Sequence, residues 1–171
     1  MKPELLESEE SRARTPDLRV SNSPEETIQL GEAFAREYIT SGSVIALRGE
    51  LGAGKTHFVK GIARALGIDE RELTSPTFAL AHEFDIPLTQ PLPLKGRGEN
   101  PSRLYHLDCY RFEKPEELLE LGVEDYLYPQ HAATIIEWPE RIEKLLPENR
   151  IEVELITISE TARKIVIHPA K

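Results

Sequence analysis

Residues Gly49-Glu50-Leu51-Gly52-Ala53-Gly54-Lys55-Thr56 restrict the possible folds more than any other stretch of this chain, because they set G-x-x-x-x-G-K-[ST] between an apolar run and a helical pattern. Ahead of them, Val44-Ile45-Ala46-Leu47 is a short continuous apolar run, as in a strand that a sheet buries on both faces. Behind them, Phe58, Ile62 and Leu66 recur at helical spacing until Gly67 stops the pattern. Strand, glycine turn and helix in this order make a phosphate-binding loop. Small glycines let consecutive backbone N–H groups turn toward phosphate oxygens, and the helix N-terminus adds the positive end of its dipole. Lys55 supplies a mobile charge for the β and γ phosphates, and the Thr56 hydroxyl suits Mg²⁺. The reading is nucleoside triphosphate binding.

The flanking patterns define one α/β domain. Ser23-Pro24-Glu25-Glu26 carries an N-cap Ser, a Pro at the first helical position and a Glu at the third, so a helix opens there and runs through Ile28, Phe34 and Tyr38. Segments 77–84 and 104–110 read as two strands, and in the second, alternation puts Tyr105, Leu107 and Cys109 on a core face and His106, Asp108 and Tyr110 on a polar one. Lys114-Pro115-Glu116-Glu117-Leu118 starts a short helix that Gly122 ends. Ala133-Thr134-Ile135-Ile136 is a further buried strand, and segments 151–158 and 163–167 flank a polar turn as an antiparallel hairpin. The expected fold is a three-layer α/β arrangement on a sheet of mixed parallel and antiparallel strands. Residues 1–22, with scattered charge and no periodicity, read as a mobile tail before a single domain over 23–171. Residues 86–103 hold four prolines and two glycines and read as a surface insertion.

Composition narrows the function. A chain of 171 residues with 21 Lys plus Arg against 30 Asp plus Glu has a formal net charge of -9, which disfavours gripping nucleic acid by bulk electrostatics, so any RNA is reached through a partner. Apolar runs are far too short to span a bilayer, and the first 19 residues have no apolar core, so a cytoplasmic address is expected. The single Cys109 has no second cysteine to pair with.

A triphosphatase also needs a carboxylate at a neighbouring strand end, to hold Mg²⁺ or position water. Glu137 follows the run 133–136, and Asp108 lies on the polar face beside His106. The plainer alternatives are a helix-capping carboxylate before Pro139 for Glu137 and an ion pair with Arg111 or Arg103 for Asp108. Thr74-Ser75-Pro76-Thr77 is either a nucleotide-sensitive loop or a plain turn, and Trp138 reads as core. The histidines lack metal-ligand spacing.

Taken with the loop, Ser75-Pro76-Thr77-Phe78, His106-Leu107-Asp108-Cys109-Tyr110-Arg111, Pro115-Glu116-Glu117-Leu118 with Gly122, and Ile136-Glu137-Trp138-Pro139-Glu140 resemble the TsaE family, from about Ser23 to Ile167. The resemblance implies a P-loop NTPase fold and an ATPase required for threonylcarbamoyladenosine modification of tRNA. It implies that Gly52, Ala53, Gly54, Lys55, Thr56 and His57 wrap the phosphates of ATP, that Thr56 and Glu137 serve Mg²⁺, and that Asp108 is needed for hydrolysis. It further implies docking onto the TsaD transferase and its TsaB partner, with ATP turnover resetting that complex. His57 and Cys109 depart from the family pattern, as does the length of 86–103. Two other classes remain open on the residues: a small-molecule kinase using Lys95, Arg97 and Arg103 as a lid, and a nucleotide-responsive binding module that does not hydrolyse.

Overall fold

The computed structural model describes residues 15–73, 81–87, 98–120 and 122–170. The loop expected over 74–77 and the middle of the insertion, 88–97, lie outside the described residues. In chain order the elements are β1 (Asp17–Ser21), α1 (Pro24–Tyr38), β2 (Val44–Arg48), α2 (Lys55–Ala65), β3 (Ala81–Asp85), β4 (Arg103–Asp108), α3 (Pro115–Glu120), α4 (Glu124–Leu127), β5 (Ala132–Glu137), a 3₁₀ segment (Pro139–Leu145), β6 (Ile151–Thr157) and β7 (Arg163–His168). No helix among the described residues is long and apolar enough to cross a membrane.

The strands form one seven-stranded sheet in the order β1-β7-β6-β2-β5-β4-β3. Its centre, β6-β2-β5-β4, is parallel, and antiparallel strands close both sides, with β3 on β4 and the pair β7 and β1 on β6. The mixed sheet and the C-terminal hairpin agree with the sequence patterns. Strand alternation then sends side chains to two apolar layers. Ile45, Leu47, Leu104, Ala133 and Ile135 pack under α1 and α2 with Phe34, Phe58, Ile62 and Leu66. Val44, Ala46, Leu107 and Ile136 pack on the other face with Leu118, Val123, Leu127 and Ile142.

Helix α1 starts as its sequence predicts, with the Ser23 side chain accepting from Glu26 N at 3.1 Å. It then crosses α2 at backbone contact. A Cβ on Gly61 would stand 1.9 Å from Ile28 O, and one on Gly31 would stand 2.2 Å from Phe58 O, so only glycine admits this approach.

Two expectations need correction. The tail over 1–22 is ordered at its end, where Asp17–Ser21 is the sheet's edge strand, paired with β7. The pattern hides it because its polar side faces the protein: Arg19 reaches Glu37 at 2.8 Å, Tyr38 donates to Asp17 at 3.1 Å, and Ser21 bonds Thr27 at 2.8 Å, while Leu18 and Val20 are exposed. The strand expected over 104–110 stops at Asp108, whose Oδ1 accepts from Tyr110 N at 2.9 Å and turns the chain. On the polar face, His106 is buried, on the α1/α2 side with Leu104.

Candidate functional site

The glycine loop leaves the carboxyl end of β2 and enters α2. Gly52 and Gly54 take φ values of 81° and 98°, in the left-handed region that a side chain disfavours. Gly49 is demanded by space as well: its Cβ would lie 2.8 Å from Leu155 O of β6. Gly54 is the N-cap of α2 and no side chain caps that end, so the first-turn amides face outward with the helix dipole behind them. Thr56 is exposed in that turn and His57 is half-buried beside it.

Lys55 is buried, and its Nζ donates to Gly49 O at 2.6 Å and Glu50 O at 3.1 Å. The ammonium also lies 4.1 Å from the centroid of the Trp138 ring. Burial pushes the Lys55 pKa below the ordinary lysine value, and the negative charges of Glu137, Glu140 and Asp108 push it back up. Those four groups therefore share one electrostatic neighbourhood.

Parallel pairing of β4 with β5 puts Asp108 opposite Glu137, so the two carboxylates end adjacent strands. Glu137 is buried, and its Oε1 lies 2.8 Å from His106 Nε2. A carboxylate only accepts, which assigns the proton to Nε2 and leaves His106 Nδ1 as a buried atom without a hydrogen-bond partner among the described residues. This bond replaces the helix-capping alternative, since no side chain caps the 3₁₀ segment after Glu137. Arg103 lies at the far end of β4 and binds Asp85 at 2.9 Å, which removes it as the partner of Asp108.

After Glu137, Trp138 takes φ 56°, an unusual value for a bulky residue, and that turn brings its ring to Lys55 and to Tyr110, 4.9 Å away. Trp138 packs against the apolar layer of Ile136 and Ile142 as the sequence suggests, but its contact with Lys55 and the bond of His106 to Glu137 are not expected from the sequence. The signal available was adjacency, since His106 stands two residues before Asp108 and Trp138 directly follows Glu137. Cys109 is fully buried with its thiol pKa pushed up to about 12, first by burial and then by Asp108 and Glu140, so it is an inert packing residue.

The loops after β2 and β5 depart to opposite faces of the sheet, α2 to one and the 3₁₀ segment to the other. Open α/β sheets take ligands at such a divergence, at strand carboxyl ends. An open depression lined by Gly42, Tyr128, Pro147 and Asn149 lies instead at the amino ends of the strands, away from all these groups. Among the described residues no three His, Cys, Asp or Glu side chains form a metal cage.

Comparison with known proteins fits this geometry. The family model for "Threonylcarbamoyl adenosine biosynthesis protein TsaE" matches residues 21–165. A Treponema pallidum protein named tRNA threonylcarbamoyladenosine biosynthesis protein TsaE is 36% identical over 148 residues, which cover 86% of this chain and 97% of that one. A Bacillus subtilis protein of the same name is 37% identical over 146 residues, covering 84% and 79%. The crystal structure of Bacillus subtilis YdiB superposes with a TM-score of 0.69 at 28% identity, over 92% of this chain and 87% of that chain. Its agreement with the mixed sheet and glycine loop establishes the P-loop fold class. With the family model and both relatives spanning most of its length, the chain belongs to the TsaE family.

Proposed function

We propose that this protein binds ATP with Mg²⁺ and hydrolyses it as an accessory subunit of tRNA threonylcarbamoyladenosine synthesis in the cytoplasm. The observation that carries the reading is the convergence of the Lys55 ammonium, the uncapped start of α2 and the Glu137 and Asp108 carboxylates at the ends of β2, β5 and β4. The names of the relatives supply the pathway, and the family resemblance supplies the partners, TsaD and TsaB, with tRNA met through them.

In this mechanism the loop from Gly52 to His57 wraps the phosphates, with the amides of Gly52 and of Gly54 to His57 holding phosphate oxygens while the Ala53 N–H stays on Glu50 O, and Lys55 spreads charge off the γ-phosphate. The donor set suits Mg²⁺, which takes one or two carboxylates together with hydroxyl and phosphate oxygens. Thr56 and Glu137 would hold the ion, and it would supply charge neutralisation on the phosphates. His106 fixes the Glu137 carboxylate through one oxygen, and Asp108 orients the attacking water. These groups act by position and electrostatics, so turnover is slow until a partner completes the site, with Arg111 or a partner arginine as the added charge. ATP turnover then resets the TsaD/TsaB complex between catalytic cycles.

Titration of wild type and Lys55→Ala with Mg·ATP tests the binding step. The expected outcome is an affinity at least about tenfold weaker in the variant, through loss of a charge-assisted contact. Equal affinities would remove the assignment. Glu137→Gln and Asp108→Asn should keep ATP binding while phosphate release with TsaD and TsaB falls by about 10² or more. Wild-type protein that binds ATP yet releases no phosphate in the assembled complex would instead be a nucleotide-responsive module.

A further inference from the structure

The glycine loop has a carbonyl side, its back, and one side chain grips it there. Arg163 opens β7, 110 positions from Ala53 in sequence, and its Nε donates to Ala53 O at 3.1 Å while Nη2 donates to Gly52 O at 3.2 Å. Its Nη1 donates to Ser159 O and Ala162 O, both at 2.9 Å, and more weakly to Glu160 O at 3.3 Å. One guanidinium thus joins the back of the loop to the turn between β6 and β7, and each hydrogen-bond partner it has among the described residues is a main-chain carbonyl.

The consequence follows from peptide geometry. In a trans peptide the C=O and the N–H point opposite ways, so holding Ala53 O behind the loop aims Gly54 N–H out of its front. Holding Gly52 O likewise sets Ala53 N–H, which donates to Glu50 O at 3.1 Å and closes the turn. The residues around these peptides need such an outside restraint, because Gly52 and Gly54 have the widest conformational freedom of any residue type. The guanidinium lies flush against the loop: a Cβ on Gly54 would stand 3.8 Å from Arg163 Cγ and Nε. A lysine cannot replace it, since an ammonium is a single point of donation where the planar fork serves two elements at once.

We propose that Arg163 is a positioning residue for phosphate: it pre-sets the amide cradle from behind and couples occupancy of that cradle to the β6–β7 turn. The proposal rests on the nucleotide-site reading above. It also gives the turn, where Ile158 is exposed, a means of sensing the loop, where Leu51 is exposed.

The test uses the full chain, with Mg·ATP as probe, in wild type, Arg163→Ala and Arg163→Lys. Arg163→Ala should bind at least tenfold more weakly than wild type, with Arg163→Lys barely better. Guanidinium ion, at a level too low to unfold the protein, should restore binding to Arg163→Ala and not to Lys55→Ala. In wild type, Mg·ATP should slow hydrogen exchange at Ile158 and Ser159, whose amides bond Ala162 O; this needs no variant and decides the matter if Arg163→Ala does not fold. Failure of the wild type to take up any nucleotide overturns the phosphate-site reading itself. Uptake by wild type with equal affinity in Arg163→Ala, or with exchange at the turn unchanged, overturns the role of Arg163 alone.

Discussion

The two layers that enclose the sheet are built differently, and the candidate site lies where they meet. On one face α1 and α2 are long, cross at backbone contact through Gly31 and Gly61, and set Phe34 against Phe58 as a tilted ring pair with centroids 5.3 Å apart. On the other face α3, α4 and the 3₁₀ segment are short pieces, each setting one or two apolar side chains on the sheet. The first layer supplies the start of α2 and Lys55; the segment entering the second supplies Trp138 and Glu140. A phosphate loop must keep its amides within a few tenths of an ångström, which suits anchorage to the tightly packed layer. The shorter layer meets the same site through a turn, whose geometry is set by one unusual backbone angle at Trp138 rather than by a long helix.

That contrast is broken most directly at Gly61. In Gly61→Ala the new methyl would sit 1.9 Å from Ile28 O and 2.9 Å from Glu32 N, backbone atoms that move only if the helices separate. The expected loss is about 3 kcal/mol, at the upper end for overpacking, which lowers the melting temperature by roughly 10 °C for a domain of this size. A thermal melt within about 2 °C of wild type would mean the two helices are not held at backbone contact.

The opposite layer should be more forgiving. Leu118 is fully buried, but it projects from a helix of six residues that can settle toward the sheet when the side chain is shortened. Leu118→Ala should therefore cost about 2 kcal/mol, the low end for a buried leucine, as read from the denaturant midpoint. A loss equal to or larger than that of Gly61→Ala would erase the distinction between the layers.

What could be read beforehand follows the same division. The loop, the buried runs of β2 and β5 and the capped start of α1 were legible because each is a local pattern: a glycine spacing, an unbroken apolar stretch, a Ser accepting from the third helical amide. β1 escaped because its polar residues face inward and are satisfied by Glu37, Tyr38 and Thr27 of α1, so its alternation carries the opposite sign from that of an ordinary edge strand. The pairing of His106 with Glu137 depends on register between β4 and β5, which joins residues 31 apart, and no local pattern encodes that. Arg163 is the extreme case, an unremarkable strand residue until the hairpin lays it behind a loop at the other end of the chain. The close crossing at Gly31 and Gly61 could have been suspected from two glycines inside helical patterns, each a residue that weakens a helix and so needs a packing reason.

The shorter layer is also held to the sheet electrostatically, and pH sharpens how much that matters. Arg48 at the end of β2 and Arg150 before β6 both bridge Glu152 of β6 and Glu143 of the 3₁₀ segment. Burial alone would raise the Glu152 pKa, but hydrogen bonds from Arg48 and Arg150 outweigh it and hold the carboxyl below its ordinary value. A carboxylate whose folded pKa is depressed contributes stability that is present above its unfolded pKa, near 4.3, and is lost as pH falls through the folded value. Glu152→Gln should thus be less stable than wild type at neutral pH by no more than about 1 kcal/mol, because these side chains remain partly exposed and screened. The difference in urea midpoint should shrink as the pH is lowered past the ordinary glutamate range, and added salt should shrink it at neutral pH as well. A difference that stays constant down to acid pH would assign Glu152 to packing, and the 3₁₀ segment would then be held to the sheet by the apolar contacts of Ile142 and Leu146 rather than by charge.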